Sequence, residues 1–322
     1  MTPVLITVDT ELSPGLHGRG WSAAANRASS VDGRIGNAAY GIDWQMDVLE
    51  AAGLRGVFFV DPMPVLLYGA GVLPPVVEPI LAREHEVQLH LHTEWLQWVS
   101  ASLVGGRQGR CIADFALEDQ VTLIALARDL LEAAGAPRPV AFRAGNYGAD
   151  GATLAALDRL GFAWDSSANT AAPDNASRIA AEVAGNGPVG FGGVVELPVT
   201  TILDRPGHLR PAQVCALSGH EMRAALAHAA GGDAPVVIVT HSFEMLSRDR
   251  RRPNRLVIDR FRRLCATVAG DARLRAVGFG DLSREHMLSA APRPPLAPSR
   301  PRTWARMAEQ AAGTLLFERR TR

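Results

Sequence analysis

A chain of 322 residues with 47% apolar composition is long enough for one large α/β domain or two small ones, and too apolar to be disordered over most of its length. Lys plus Arg and Asp plus Glu balance at 33 each, which leaves no basic footprint for nucleic acid and no single-signed face for a membrane. Three widely spaced cysteines, Cys111, Cys215 and Cys265, form no CxxC pair and argue against a disulfide framework or a zinc knuckle.

The chain opens with "PVLITVD", a β-branched run that predicts a strand buried on both faces. The N-terminus carries no targeting pattern, and no apolar stretch approaches the ~20 residues of a membrane helix. The cytoplasm is therefore the expected location. After a Gly-rich loop, Trp44, Val48, Leu49 and Ala52 have helical spacing, with Gly53 as a stop. "RGVFFV" predicts a strand ending at Asp61, "VVEPILARE" a helix, and "EVQLHLH" a third strand. The stretch from Trp95 to Phe115 has no period and reads as a long loop. A helix is predicted from near Glu118 to Gly135. Strands are then expected at "VAFRAG", "FAWDSS", "VVELPVTTI" and "PVVIVTHS", and a last one at "LRAVGFGDL". Helices at "ADGATLAALDRLG", "HEMRAALAHAAG" and "RLVIDRFRRLCATVAG" lie between them. Seven or eight strands alternating with helices predict one parallel α/β sheet or barrel over residues 1–288. Residues 289–301, rich in Pro and Arg, read as an extended linker. Residues 302–322 predict an amphipathic helix, expected to dock on the barrel or on a subunit partner rather than on a membrane.

In a parallel barrel the binding residues gather at the C-terminal ends of strands. Five predicted strands end in ionisable groups: Asp9 and Glu11, His90 and His92, Arg143, Asp165, and His241. Residues two apart on a strand share a face, so Asp9 and Glu11 can point into one mouth. Two close carboxylates repel unless a cation lies between them; the alternative is a solvated strand end. His90 and His92 share a face by the same rule and suit zinc or a similar ion, with a carboxylate as third ligand. Glu94 is either a ligand itself or the group that holds a histidine from behind. His241 is either a buried core histidine or a general acid with a pKa near neutrality. Arg143 either binds substrate or pairs with Asp9 or Asp165, and Gly145 and Gly148 tighten the loop that follows it.

In order along the chain, "TVDTE", "LHLHTEW", "FRAGNYG", "WDSS" and "VTHS" resemble the five motifs of the polysaccharide deacetylases of the NodB homology type, carbohydrate esterase family four. The similarity runs from about Val4 to Leu282 and looks most like the WbmS-like branch, linked to bacterial surface-polysaccharide synthesis. The resemblance implies a deformed (β/α)7-8 barrel that removes an acetyl group from an amino sugar or sugar ester. It also implies a divalent metal: zinc first, with cobalt, nickel or manganese as alternatives. Asp9 maps onto the general base, with a metal-bound water as nucleophile. The family's second Asp falls on Thr10, so Glu11 takes the metal together with His90 and His92, and Glu94 is the rival ligand at the four-residue spacing. The arginine motif lacks its proline. His241 maps onto the general acid, with Arg143 orienting Asp9 and Asp165 orienting His241. The backbone near Tyr147 is expected to stabilise the oxyanion, and Tyr147 and Trp95 to face substrate. The implied partner is an acetylated sugar or glycan, with an oligomer open. Rival readings are a non-catalytic sugar-binding barrel, or a barrel amidohydrolase drawing further histidines from later strands. No G-x-S-x-G elbow or P-loop is present to support a serine esterase or a nucleotide site.

Overall fold

In a computed structural model, residues 1–100, 103–171, 177–179, 183 and 185–318 are described. Their strands are β1 (Thr2–Thr10), β2 (Arg34–Ile35), β3 (Ala38–Ala39), β4 (Val57–Val60), β5 (Glu86–Leu91), β6 (Ala141–Ala144), β7 (Trp164–Asp165), β8 (Val189–Phe191), β9 (Val194–Glu196), β10 (Thr201–Arg205), β11 (His208–Pro211), β12 (Val236–His241) and β13 (Leu274–Ala276). The main sheet has the order β12-β1-β4-β5-β6-β7-β9-β8, with β13 also on β1. Every pairing in it is parallel except β8 with β9. β12 takes one edge of β1, and the other edge is shared by β13 near Thr2–Val4 and β4 near Thr7–Thr10.

The gap between β9 and β12 is closed by irregular chain. The Thr200 N–H donates to the Val237 carbonyl, the Val239 N–H to Ala212, and the Val214 N–H to Val239. The result is the expected deformed barrel. Pro198, with no N–H to give to a ladder, explains why "VVELPVTTI" is two strands rather than one. The last predicted strand stops at Ala276, and Phe279–Asp281 form a 3-10 turn flanked by Gly278.

Helices Ile42–Ala51, Pro74–Ala82, Leu117–Ala133, Gly151–Leu160, Gly219–Ala229 and Arg255–Gly270 pack outside the sheet. Their ends are chemically marked. Asp150 and Ser218 each close a capping box, and Gly161 ends its helix at φ 76°.

Alternation along the strands decides what enters the barrel. Leu5, Val57, Phe59, Ala141, Trp164, Val195 and Val237 form an interior cluster, plugged by Phe279 and Met287. Full burial of such side chains contributes roughly 1.5–3 kcal/mol each. Continuing the same parity toward the strand ends brings Asp9 and Glu11 from β1, Asp61 from β4, His90 and His92 from β5, Arg143 from β6 and His241 from β12 to one rim. The segment after β13 does not run free. Asn186 bridges to Arg293, and Ile202 to Leu296, before the helix Arg300–Gly313.

Candidate metal centre and active site

Glu11, His90 and His92 offer ligand atoms that all lie within 4.8 Å of one another. The Nδ1 of His90 is 2.8 Å from the Arg143 carbonyl, and since a carbonyl only accepts, that nitrogen carries the proton. The Nε2 of His90 lies 3.4 Å from Glu11 Oε2. In His92, Nδ1 is 2.6 Å from Glu94 Oε2, while Nε2 is 2.5 Å from Glu11 Oε2. Glu94 therefore stands behind His92, on the nitrogen that faces away from Glu11, and is itself held by Asn146 Nδ2 at 3.0 Å. Oε2 of Glu11 is buried and accepts no hydrogen bond from any group other than these two imidazoles.

This donor set fits a divalent cation. Two imidazole nitrogens, each with its other ring nitrogen already engaged, converge on one buried carboxylate oxygen, the combination that zinc and its neighbours take. With no cation, protons do the neutralising. Burial would lower His92, but Glu11 and Glu94 raise it well above the ordinary histidine value. Burial would likewise raise Glu11, but His92 and His90 bring it well below the carboxylate range.

Arg143 is wholly buried, and four of its five N–H donors are engaged. Nη1 reaches Asp9 Oδ1 at 2.6 Å and Thr7 Oγ1 at 2.8 Å. Nε and Nη2 reach the carbonyl and hydroxyl of Ser166 at 3.1 and 3.0 Å, and the guanidinium lies 4.2 Å over the Phe59 ring. It is a clamp on Asp9, buried away from any substrate. Burial alone would raise the Asp9 carboxyl; Arg143, His90 and His241 turn that into a net lowering. Asp9 is thus ionised near neutrality, with its Oδ2 3.9 Å from His241 Nε2.

Two expectations fail here. Asp165 does not orient His241. Its strand neighbour Trp164 points into the barrel, so Asp165 points outward, where Oδ1 accepts from Ser167 Oγ at 2.6 Å and its register partner is Glu196. Burial raises both carboxyls, Glu196 further through the charge of Asp165, so the pair holds a proton. Trp95 does not face substrate either. It is fully buried, and its indole N–H donates to Asp61 Oδ2 at 2.8 Å.

The partner of His241 is Glu244, which sequence reasoning missed. Glu244 Oε1 lies 2.8 Å from His241 Nδ1, and Thr240 Oγ1 donates to Oε2 at 3.0 Å. Gln213 also donates to Glu244. Burial would depress His241, but Glu244 overrides it and the imidazole rises to about 9. The signal was present in "THSFE", where an acid stands one tight turn beyond the histidine. Asp61, expected only as a strand end, is raised to about 6 by burial and accepts from the His92 backbone N–H at 3.4 Å.

The loop after Arg143 is shaped by close approach. A Cβ on Gly145 would lie 2.7 Å from the Leu91 carbonyl and 2.8 Å from the His92 ring, so only glycine lets this turn pass the histidine. Asn146 and Tyr147 both adopt left-handed φ, 56° and 57°, which is costly for non-glycine residues. The Tyr147 hydroxyl is buried with no hydrogen-bond partner, and burial raises its pKa.

Neither a family model nor a curated protein matches the sequence. Among solved structures, a Mycobacterium smegmatis protein assigned as a polysaccharide deacetylase is similar with a TM-score of 0.56 at 18% identity, over 92% of this chain and 94% of that one. The chain has the fold of the polysaccharide deacetylases. A Pseudomonas aeruginosa protein of the same assignment gives a TM-score of 0.50 at 12% identity, over 88% and 90% of the two chains. This chain is also similar to a Thermococcus litoralis 4-alpha-glucanotransferase, with a TM-score of 0.52 at 10% identity, over 92% of this chain and 41% of that one. One fold therefore serves different carbohydrate enzymes, and the side chains at the rim must decide the activity.

Proposed function

We propose that the chain is a metal-dependent carbohydrate deacetylase, hydrolysing an N-acetyl or O-acetyl group from a sugar or glycan, with residues 1–288 as its catalytic unit. The observation that carries this reading is the grouping of Glu11, His90 and His92 beside an arginine-clamped Asp9, with a glutamate-backed His241 across the same rim. The three ligands suit zinc. A divalent ion held by them would supply Lewis acidity toward an acetyl oxygen and toward water.

The remaining chemistry belongs to the protein. Asp9, ionised by Arg143, takes a proton from the attacking water as the new C–O bond forms. His241, kept protonated near neutral pH by Glu244, gives its proton to the departing nitrogen or oxygen as the acetyl bond breaks, releasing acetate and the free amine or alcohol. The Tyr147 backbone, on its left-handed turn, is the candidate oxyanion donor. The amidohydrolase rival expects further histidine ligands, whereas Glu11, His90 and His92 are the ligand group found among the described residues.

The test measures bound metal and acetate release from a panel of acetylated amino sugars and sugar esters. The expected result is a stoichiometric metal that His90→Ala and His92→Ala each abolish together with acetate release. A protein that holds no metal after reconstitution, or an Asp9→Asn variant with full activity, overturns the reading.

A further inference from the structure

The terminal helix Arg300–Gly313 is amphipathic in the inverted sense. Its polar face is the one that docks. Arg306 is buried, with Nη2 2.8 Å from Asp204 Oδ2 and Nε 3.1 Å from Glu221 Oε1. Glu309 Oε2 lies 2.8 Å from Arg260 Nη2, and Thr303 Oγ1 donates to the Asp204 carbonyl at 2.5 Å. Gly313 is buried against Leu256.

The opposite face is exposed and apolar throughout: Trp304, Met307, Ala308, Ala311, Ala312 and Leu315. Residues at i, i+3, i+4, i+7 and i+11 form one continuous stripe along a helix. Eight large hydrophobic residues are exposed among the described ones, and four of them, Trp304 at 69%, Met307 at 50%, Leu315 at 56% and Leu316 at 57%, lie on this segment. Scattered exposed apolar residues need no explanation, but a concentrated stripe marks a surface that meets something.

Charge selects the occupant. Residues 300–322 contain six arginines and two glutamates, an excess of four positive charges in a chain whose formal net charge is zero. Arg306 and Glu309 are spent on the barrel, which leaves five arginines and Glu318; in sequence, Arg300 and Arg302 precede the apolar stripe and Arg319, Arg320 and Arg322 follow it. A second copy of this helix would bring like charges together. An anionic bilayer surface complements both features, taking Trp, Met and Leu into its interfacial layer and the flanking arginines against its headgroups.

We propose that the terminal helix docks the protein on anionic lipid surfaces. Its C-terminal end lies beside the catalytic rim. The Arg248 N–H donates to the Phe317 carbonyl, and Gln310, Gly313 and Thr314 share one cavity with Phe243 and Glu244. Docking would therefore hold the rim close to the bilayer, which on the deacetylase reading favours a glycan presented at that surface.

The experiment is co-sedimentation of the full chain with vesicles of phosphatidylglycerol and phosphatidylcholine, against pure phosphatidylcholine. It is run beside a Trp304→Ser, Met307→Ser, Leu315→Ser, Leu316→Ser variant whose fold is checked by circular dichroism. The expected result is binding to the anionic vesicles, weakened by high salt, and more than about tenfold weaker in the variant. No binding to anionic vesicles, equal binding to neutral ones, or a dimer that the variant makes monomeric without any vesicle binding would overturn the proposal. Acetate release from a soluble acetylated sugar, measured in parallel, separates this outcome from the deacetylase reading, since the four substituted residues lie outside the rim.

Discussion

Replacing Glu244 with Gln keeps the size, an oxygen to accept from Gln213 and an NH2 that can donate to the Thr240 hydroxyl once that hydroxyl turns, but removes the negative charge 2.8 Å from His241 Nδ1. Glu244 is the first cause that raises His241 from 6.5 to about 9, against the lowering effect of burial. One unit is worth about 1.4 kcal/mol, so the net elevation corresponds to roughly 3 kcal/mol favouring the protonated imidazole. Asp9 and Glu11 also contribute and are untouched, which leaves a fall of roughly one to two pH units for the variant. A general acid works while protonated, so activity is lost as pH rises through the His241 pKa, and the variant loses it at lower pH than the parent. A divalent ion bound nearby acts on both proteins alike and cancels in the comparison. The assay is the pH profile of kcat/KM for acetate release, with matched metal loading. An alkaline limb at the same pH in both proteins would refute the coupling of Glu244 to His241, whatever the change in maximal rate.

Glu94→Gln should keep the metal but bind it roughly 10- to 100-fold more weakly, because it holds His92 from behind, whereas His92→Ala should lose it; competition with a chelator measures both. Arg143→Met leaves Asp9 buried without its partner and should cost about 3–5 kcal/mol, read by chemical denaturation, and a loss under ~1 kcal/mol would deny the clamp. The Asp165–Glu196 pair predicts a stability trend with pH. Glu196 is raised in the fold, so its stabilising protonation is fully present below the unfolded value near 4.5 and is lost as pH rises through the higher folded one. Glu196→Gln, neutral at every pH, should then gain in Tm relative to the parent as pH goes from about 5 to about 8, and parallel Tm curves would exclude a shared proton.

Much of the site was legible because its logic is local. Parity along β1 puts Asp9 and Glu11 on one face, parity along β5 does the same for His90 and His92, and a parallel barrel brings strand ends to one rim. Where the local pattern was short or broken, the reading slipped. "FAWDSS" supports only two residues of strand, Trp164–Asp165, and its side assignment turns on a single step of alternation. The overall charge balance concealed a terminal segment that is strongly cationic by itself.

The sequence by itself determined the alternation of strands and helices, the buried strand bodies and the candidate ligands Glu11, His90 and His92, with Glu94 as their rival. Only the tertiary structure decided which group serves which. It spent Arg143 on Asp9, turned Asp165 away toward Glu196, gave His241 to Glu244, sealed Trp95 against Asp61 and docked the terminal helix by its polar face. The physical reason is range. Periodicity is set by residues a few positions apart, which one sequence displays. Pairing of buried charges depends on register and loop path between segments tens to hundreds of residues apart, where a partner is chosen by position in space, and distance along the chain says nothing of it.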